Sequence, residues 1–549
     1  MKHLDNVDEI LIATQFNTKV ENPAQKLMLN IKAPERLKKY YQKLNSKNID
    51  IILTNTKFAI KPFLEQNGIE ADVAEINRRG VEILDDELDN EILIAGNIGS
   101  SGLNITPYGI VTLDEAIEIY REQIEVIAEA GADMVYLNLF NDIQNLRAAI
   151  LASNAIGLDL PIIATANFSN GQMESGTDIS TFATVLNSLD IDALGINNLK
   201  LFRELEKNTN LPLLAELDKN SKIEKSLKRL KRRQLYFVSL TTDTTLDDIE
   251  AVSELKEKEP ERPNNDLPFR ITSNMNSVDF GTELPFVKIG ERINPTNREK
   301  FAEELKQGDI SQVIKDAETQ IQVGADLLDI NLGASMVDEK EVMRKAIIEL
   351  QQKFEIPLVI DSSNPSVLET GLKNYAGKAL INSVDADPKK QDQVLPLVEK
   401  YGAGVIVLTI KDGRAGSPER RLDIARSIID KCEEYNIAKH DIIIDTAALS
   451  AATSPEAGPH AFETIKMIKE ELDLPTVMGI SNTSFGLPKR NWIHNTFLAQ
   501  AMAFGLDAGI VNVEDPELEK VIMSASVFAK RDEHCMKFIK YVRSLEEGK

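Results

Sequence analysis

Residues 357–384 of the chain read PLVIDSSNPSVLETGLKNYAGKALINSV, and this stretch contains the unit that recurs along the sequence. It opens on an apolar run, 357–361, that ends in Asp361, and it closes on a second apolar run, 379–384. A segment able to form a helix lies between the two runs. Because apolar runs that alternate with helices are typical of parallel strands covered on both faces, this stretch predicts a strand, a helix and a parallel strand.

The same alternation extends over nearly the whole chain and supplies eight strand candidates in each half. In the first half the candidates are 10–16, 51–55, 92–98, 134–140, 161–168, 193–197, 212–217 and 235–240. In the second half they are 285–292, 327–332, 357–361, 379–384, 404–410, 441–446, 475–481 and 508–513. Amphipathic stretches such as 113–129 and 143–156 lie between them. Eight βα units within roughly 250 residues is the size of a TIM barrel, so we predict an α/β protein with two tandem TIM (β/α)8 barrels.

Between the halves lies a segment of different composition, 256–284, which begins KEKEPERPNND. It has little apolar periodicity, many polar residues and three prolines, at positions 260, 263 and 268. Such a composition is typical of a connection between domains. The sequence therefore predicts one domain over 1–255, a linker over 256–284 and a second domain over 285–549.

Composition excludes several classes of protein. Among 549 residues, 63 are Lys or Arg and 87 are Asp or Glu, which makes the formal net charge −24. An acidic excess of that size repels phosphate backbones and anionic headgroups, so we expect neither nucleic-acid nor membrane partners. No run of 18 apolar residues occurs and the sequence opens without a charged and apolar leader, which predicts a cytoplasmic protein. With two cysteines, a zinc site made of three thiolates is impossible.

Polar side chains stand at the ends of six predicted strands in the second half. The blocks are ERIN at 291–294, DIN at 329–331, DSSN at 361–364, NS at 382–383, DT at 445–446 and GISN at 479–482. Asp, Asn and Ser also cap helices, but six such ends on one rim of a barrel favour a ligand site. Carboxylates accept two hydrogen bonds, and amides both donate and accept. Such groups match the edge of a planar, guanidine-bearing ring such as a pterin.

The second half resembles the pterin-binding methyltransferase family, which includes methyltetrahydrofolate:corrinoid protein methyltransferases and the folate module of cobalamin-dependent methionine synthase. GERINPT at 290–296 is similar to the G-E-R-x-N opening of that family, and GISNTSFGLP at 479–488 is similar to its G-x-S-N-x-S-F-G-L-P segment. The blocks between them follow in the order of the family. Dihydropteroate synthases share the superfamily but carry S-R-K where this chain has Ser481-Asn482-Thr483, so synthase activity is set aside.

This resemblance implies the roles of individual residues. Asp361, Asn382 and Asp445 would hold the pterin edge, while Asn482 would lie beside the nitrogen that carries the methyl group. Asn482 and Asp445 are the catalytic candidates. The remaining binding candidates are Glu291, Asn294, Asp329, Asn331, Gly479, Ser481 and Arg490. The resemblance further implies methyltetrahydrofolate or tetrahydrofolate as substrate, and a corrinoid (cobalamin) carried by a partner protein as the other methyl carrier.

The first half resembles homocysteine S-methyltransferase domains, but it lacks their zinc ligands. Similar blocks include ATQF at 13–16, TNTKF at 54–58, GNIG at 96–99 and GINN at 195–198. Asn198 stands where the family has a zinc-ligating Cys, and Thr241 and Thr242 stand where it has the other two. Because a neutral hydroxyl cannot replace a thiolate on zinc, we expect no zinc and assign no residue of the chain to a metal.

Three roles of the first barrel stay open at this point. It could be a scaffold, a pocket for another methyl donor or acceptor, or a metal site of a new kind. A new pocket would use Asn138, Asn167, Asn197 and Asn198. For the whole chain, we predict a methyltransferase that moves a methyl group between methyltetrahydrofolate and a corrinoid partner. The alternatives are a methionine synthase core with a homocysteine site that lacks cysteine, and a non-catalytic folate-binding assembly subunit. A homodimer is kept open beside a monomer.

Overall fold

A computed structural model describes residues 9–17, 20, 22–218, 223–241 and 244–547 of the chain. The chain divides into two compact units, Met1–Asp266 and Leu267–Lys549. Each unit contains a closed barrel of parallel strands, as the alternation of apolar runs and helices predicts. No described helix combines the length and the apolar character that crossing a membrane requires.

The barrel of the first unit closes in chain order, because its first strand pairs with both its second and its eighth. The strands are β1 (Leu11–Gln15), β2 (Ile51–Leu53), β3 (Leu93–Ile98), β4 (Met134–Phe140), β5 (Ile162–Ala166), β6 (Ala193–Ile196), β7 (Leu213–Leu217) and β8 (Phe237–Leu240). The described helices are α1 (Pro23–Leu27), α2 (Leu29–Lys32), α3 (Pro34–Leu44), α4 (Lys61–Gln66), α5 (Val73–Asp85), α6 (Leu113–Glu129), α7 (Ile143–Ala155), α8 (Ile179–Asn187), α9 (Phe202–Lys207), α10 (Ile223–Leu230) and α11 (Leu246–Val252). All eight predicted strands of this half are confirmed.

Strand β4 is irregular where it approaches the carboxyl end of the barrel. Its register against β5 shifts between Leu137 and Phe140, and Leu139 has a φ of 52°. A bulge of this kind redirects neighbouring side chains, and bulges are common beside functional sites in barrels. Asn138, one of the predicted pocket residues, lies inside this irregular stretch and is fully buried.

The second unit contains another barrel that closes in chain order. Its strands are β11 (Val287–Gly290), β12 (Leu327–Asn331), β13 (Leu358–Asp361), β14 (Leu380–Val384), β15 (Gly404–Leu408), β16 (Ile442–Asp445), β17 (Thr476–Gly479) and β18 (Ala508–Val511). Its described helices are α12 (Glu299–Lys306), α13 (Ser311–Gln322), α14 (Glu339–Lys353), α15 (Pro365–Lys373), α16 (Pro388–Tyr401), α17 (Pro418–Glu434), α18 (Ala457–Glu471), α19 (Arg490–Ala503), α20 (Leu518–Phe528) and α21 (Met536–Glu547). The eight predicted strands of this half are confirmed as well.

A short antiparallel hairpin precedes the second barrel, within the segment that the sequence assigns to the linker. It consists of β9 (Phe269–Thr272) and β10 (Ser277–Phe280), and Phe269 and Phe280 pack edge to face with ring centroids 5.0 Å apart. Both rings belong to the same buried cluster as the first residues of the barrel strands. Two strands of four residues carry too short an alternation to stand out in the sequence, so only packing shows that this hairpin is part of the second unit.

Candidate active site

The predicted site residues of the second half lie at the carboxyl ends of the barrel strands. Asp329 and Asn331 belong to β12, Asp361 ends β13, Asn382 lies in β14, Asp445 ends β16 and Gly479 ends β17. The others follow their strands: Glu291 and Asn294 come after β11, Ser481 and Asn482 lie in the 3₁₀ turn Ile480–Ser484, and Arg490 begins α19. Because all strands are parallel, these ends share one face of the barrel.

Three adjacent strands bring two carboxylates and two amides into contact. In the sheet register Asn331 lies beside Asp361, and Asp361 lies beside Asn382. The Asn331 amide donates a hydrogen bond of 2.9 Å to Asp361 Oδ2, and the Asn382 amide donates one of 3.2 Å to Asp329 Oδ1. Each carboxylate therefore keeps its second oxygen for another donor. These four residues form a polar wall able to bind a planar heterocycle.

Burial raises the pKa values of the two carboxyl groups in this wall. Loss of solvent around Asp329 raises the pKa of its carboxyl group well above the usual range, and the charge of Asp361 raises it further. Burial also raises the pKa of Asp361 to about 6, although the hydrogen bond from Asn331 opposes the shift. The shift of Asp329 thus favours its protonated form, while Asp361, with a pKa of about 6, is mostly ionised at neutral pH. A protonated and an ionised carboxyl group together offer both a donor and an acceptor to a ring.

Asp445 ends β16, and the loop that follows it holds its side chain in place. Its Oδ1 accepts a hydrogen bond of 2.8 Å from the backbone N–H of Ala447, and burial raises its pKa to about 6. The guanidinium of Arg421, fully buried in α17, donates to the carbonyl oxygens of Thr446 and Ala447 at 2.8 and 3.1 Å. Arg421 is a positioning residue that the sequence analysis missed, because nothing in the run PERRLDIARS distinguishes it from a surface arginine.

On the other side of the barrel mouth, a chain of hydrogen bonds joins Glu291 to Arg490. Ser481 Oγ donates to Glu291 Oε1 at 2.6 Å, and Arg490 donates to the Ser481 carbonyl oxygen at 2.7 Å and to Ser484 Oγ at 2.9 Å. Burial raises the pKa of Glu291, while Ser481 and the charge of Arg490 lower it. The charge of Arg490 therefore acts on a carboxylate inside the barrel mouth, although its own side chain is exposed.

Asn482 is exposed to solvent at the top of this turn, close to the end of β17. A Cβ atom at Gly479 would come within 3.0 Å of the Asn482 amide nitrogen, so the glycine allows the side chain of Asn482 to lie against the strand end. Asn294 differs from the other predicted residues. Its side chain accepts a hydrogen bond of 2.9 Å from the backbone N–H of Thr296, which shapes its own loop.

A cavity of about 490 Å³ opens beside this turn and was not foreseen from the sequence. It extends from Glu291 and Ser481 toward the end of β18, past Arg490 to Asn512 and Asp515. In the sequence, the far wall of this cavity corresponds to the block NVEDP at 512–516. Its carboxylates resemble those of an ordinary loop, so the sequence does not mark them as site residues.

In the first barrel, the asparagines proposed for a pocket fall into separate groups. The Asn197 amide donates to Asn167 Oδ1, and the Asn167 amide donates to Asn141 Oδ1 at 2.9 Å. Asn138 instead accepts a hydrogen bond of 2.9 Å from Lys57 Nζ. Asn198 accepts one of 3.1 Å from the Lys200 backbone N–H, which shapes its own loop. The structure thus brings two of the four predicted residues together.

The zinc-ligand positions of the first barrel do not fit zinc. Asn198 and Thr241 offer an amide and a hydroxyl, and Thr242 lies outside the described residues. Both cysteines belong to the second unit, where Cys432 is buried in α17. Among the residues that the structure describes, no three His, Cys, Asp or Glu side chains are grouped as a metal would require. The amide and hydroxyl oxygens at these positions are hard, neutral donors, and they bind zinc more weakly than the thiolates of such a site do.

Two family models match the chain, one on each barrel. Residues 9–227 match the homocysteine S-methyltransferase family and residues 290–512 match the pterin binding enzyme family. The two matches follow each other along the chain, one on each barrel, and both resemblances predicted from the sequence are confirmed.

Similar proteins align with nearly the whole chain or with about half of it. Methionine synthase of Mycobacterium tuberculosis is 25% identical over 563 aligned residues, which cover 92% of this chain and 47% of the relative. The chain thus spans about half the length of that protein and is methionine synthase-like in its domain order. The metallated homocysteine methyltransferase MmuM of Escherichia coli is 16% identical (TM-score 0.41), and the alignment covers 46% of this chain and 97% of that one. The dihydropteroate synthase of Yersinia pestis is 18% identical (TM-score 0.35), with 47% and 98% covered.

Proposed function

We propose that the protein moves a methyl group between methyltetrahydrofolate and the cobalt of a corrinoid carried by a partner protein. The observation that carries this proposal is the polar wall of Asp329, Asn331, Asp361 and Asn382, at the carboxyl end of a barrel that matches the pterin binding enzyme family. The wall offers donors and acceptors on three neighbouring strand ends, and the guanidine-bearing edge of a pterin could pair with both kinds of group.

Binding of the pterin would rest mainly on Asp361 and Asp445. The amino group and the adjacent ring N–H of a pterin can both donate to one ionised carboxylate, and such charge-assisted pairs are among the stronger hydrogen bonds. Asp361 keeps Oδ1 for this purpose while Asn331 holds Oδ2. Asp445 keeps Oδ2 while its loop holds Oδ1. Asn382, held by Asp329, would complete the edge.

The methyl group on a tertiary amine is a poor electrophile until the nitrogen gains positive charge. A proton must therefore reach the pterin before or while the carbon–nitrogen bond breaks, and the amine then leaves as a neutral group. Buried carboxyl groups with raised pKa values can hold and stabilise that proton through a hydrogen-bond network instead of one strong acid. Asn482, exposed at the rim, is suited to contact the nitrogen as its charge grows.

The corrinoid, when bound by the partner, would supply the nucleophile or the methyl donor. The partner would dock over the open carboxyl face of the second barrel, and we expect a modest interface because the contact is transient. The Asn482 and Arg490 side chains are exposed on that face and would lie near the docked partner. The first barrel would support this assembly or bind a further ligand.

A methionine synthase core is the second candidate, favoured by the tandem order shared with the Mycobacterium tuberculosis protein. It requires a homocysteine site without thiolate-bound zinc. A folate-binding assembly subunit without catalysis is the third. Purified protein would be incubated with methyltetrahydrofolate and reduced free cobalamin, and the absorption spectrum of the cobalamin followed. Methylation of the cobalamin supports the first two candidates, and its absence in a protein that binds folate supports the third.

Homocysteine added together with a corrinoid protein separates the first two candidates. Formation of methionine by this chain would favour the methionine synthase core. Methyl transfer to the corrinoid without methionine formation would favour the proposed function. Asp361→Ala serves as the variant with weakened folate binding, and Asp392→Ala, whose side chain is 59% exposed in α16, serves as the matched control that should keep full activity.

A further inference from the structure

Helix α10 has an apolar side and a cationic side. Its buried residues recur every three or four positions, as expected of a helix packed against a barrel; they are Ile223, Ser226, Leu227 and Leu230. Four exposed cations lie on the other side of the helix and of the turn that follows it; they are Lys225, Lys228, Arg229 and Arg232. Because residues three, four and seven positions apart lie on one side of a helix, these four side chains form a single row, which we call the cationic stripe.

The cationic stripe differs from its neighbours in how its charges are paired. Lys231 forms an ion pair with Glu254 at 3.1 Å, and Arg233 forms one with Glu206 at 3.3 Å. Within the described residues, no carboxylate forms an ion pair with a side chain of the stripe, including Glu224, the acidic residue of α10 itself. This row of four cations contrasts with the net charge of the whole chain, which is −24. Its charge is therefore open to an acidic partner.

A cavity of about 300 Å³ opens at one end of the cationic stripe, between the start of α9 and the end of α10. Its lining combines three apolar residues with three cations; the six are Leu199, Phe202, Leu230, Lys200, Arg229 and Arg233. Phe202 and Leu230 are each 1% exposed and form the floor, while Lys200 and Arg229 are exposed at the rim. Arg229 belongs both to the cavity and to the stripe, so the two form one continuous surface. An apolar side chain flanked by carboxylates fits such a surface.

The chemistry of this surface favours a protein partner over a nucleic acid. Proteins that bind single-stranded nucleic acid stack its bases on exposed aromatic side chains. Phe202, the aromatic residue of the cavity, is buried, and the four residues of the stripe are all Lys or Arg. A duplex carries charge along its whole length and would also meet the net negative charge of the remaining chain. An acidic segment of a protein can end where the stripe ends, and screening beyond about 8 Å at physiological ionic strength shields it from the remaining charge.

We propose that the cationic stripe and the cavity bind an acidic segment of a protein partner. Carboxylates of the segment would pair with Lys225, Lys228 and Arg229, and one of its apolar side chains would enter the cavity. The ion pairs are exposed and individually weak, so they steer association and select the segment, whereas the apolar side chain anchors it. This surface belongs to the first unit and uses no residue of the folate site, so the proposal stands whether or not the second barrel transfers a methyl group.

Fluorescence anisotropy with synthetic peptides tests the proposal on the full-length protein. The probes are a labelled peptide of glutamates with one central leucine and the same peptide with serine in place of the leucine. The leucine peptide should bind about tenfold more tightly, because burial of the leucine side chain adds to the ion pairs. The double variant Lys228→Glu/Arg229→Glu should weaken this binding roughly tenfold or more, and so should higher ionic strength. Lys300→Glu/Lys340→Glu, at two exposed positions of the second unit, is the matched control of equal charge change and should bind like the wild type.

Three results would overturn the proposal. The first is that neither peptide binds, that the two bind with equal affinity, or that the double variant and its control lose binding equally. The second is that an oligonucleotide of the same charge binds more tightly than the leucine peptide and is lost in the double variant, which would assign the stripe to a nucleic acid. The third is a salt-sensitive dimer of the protein alone in sedimentation, lost in the double variant, which would assign the stripe to a second copy of the chain.

Two further measurements keep the test interpretable. Circular dichroism checks the fold of each variant, and if the double variant does not fold, Lys225→Glu carries the test with a loss of roughly threefold. Methylation of free cobalamin should be equal in the wild type and the double variant. Its absence from both proteins, with intact peptide binding by the wild type, would count only against the proposed function.

Discussion

Replacement of Asp361 by alanine tests the folate site most directly. Asp361 accepts one hydrogen bond from Asn331 and is mostly ionised at neutral pH, so the variant removes a charge-assisted pair to the pterin edge and little else. A hydrogen bond to a charged group contributes about 1.5–3 kcal/mol. The two hydrogen bonds from the pterin edge would both be accepted by the Asp361 carboxylate, so their contributions are not simply added. We expect a loss of about 2–3 kcal/mol in folate affinity, or a dissociation constant roughly 30- to 150-fold higher.

The fold should tolerate this change. Removal of a half-buried carboxylate leaves the Asn331 amide without its acceptor, which costs about 1 kcal/mol, but it also removes the cost of burying the charge. Calorimetric titration with methyltetrahydrofolate would measure the affinity, and urea unfolding would measure the free energy of unfolding. Asp392→Ala, on the outer helix α16, should bind folate like the wild type.

The same carboxylate predicts how affinity depends on pH. Since burial raises the pKa of Asp361 to about 6, folate affinity should fall as the pH drops through 6 and the carboxylate becomes protonated. Asp361→Ala should lose the part of this dependence that Asp361 causes and keep the part that Asp445, whose pKa is also about 6, causes. Unchanged affinity in a folded Asp361→Ala variant, or an identical pH profile in the two proteins, would falsify the assignment of Asp361 to the pterin edge.

Three further predictions follow from the site. Asn482→Ala should lower the rate of methyl transfer by on the order of tenfold to a thousandfold while folate affinity changes less, because the side chain acts on developing charge. Single-turnover transfer measures the rate and a binding titration of the same variant measures the affinity. A full rate of transfer would count against this role of Asn482. The purified protein should contain no stoichiometric zinc, and one tightly bound zinc per chain in metal analysis would contradict the interpretation of Asn198 and Thr241. The folded-state pKa of Asp445, about 6, lies above that of an unfolded aspartate, so protonation favours the folded state. As the pH falls from 7 to 5, the melting temperature of the wild type should therefore rise relative to that of Asp445→Asn. A difference between the two melting temperatures that stays constant over this pH range would refute the prediction.

The sequence predicts the fold well because barrel strands are encoded locally. Runs such as 134–140 and 404–410 are apolar at all but one position each, since the interior and the outer helices bury both faces of each strand, and each run coincides with or contains an observed strand. The hairpin of β9 and β10 was not predicted, because its strands are short and the surface that they pack against is the barrel, which only the folded chain provides. The structure places the predicted site residues at or just after strand ends, and these ends share one face because the strands are parallel.

The sequence by itself determined the two barrels, their order and the face on which the polar strand ends lie. These follow from periodicity and from the parallel arrangement, which depend on residues near each other in the chain. Tertiary structure alone decided that Asn331 donates to Asp361 and that Arg421 fixes the loop of Asp445. Side-chain pairing and the loss of solvent that shifts a pKa depend on groups far apart in the chain, and only the closed barrel brings them together.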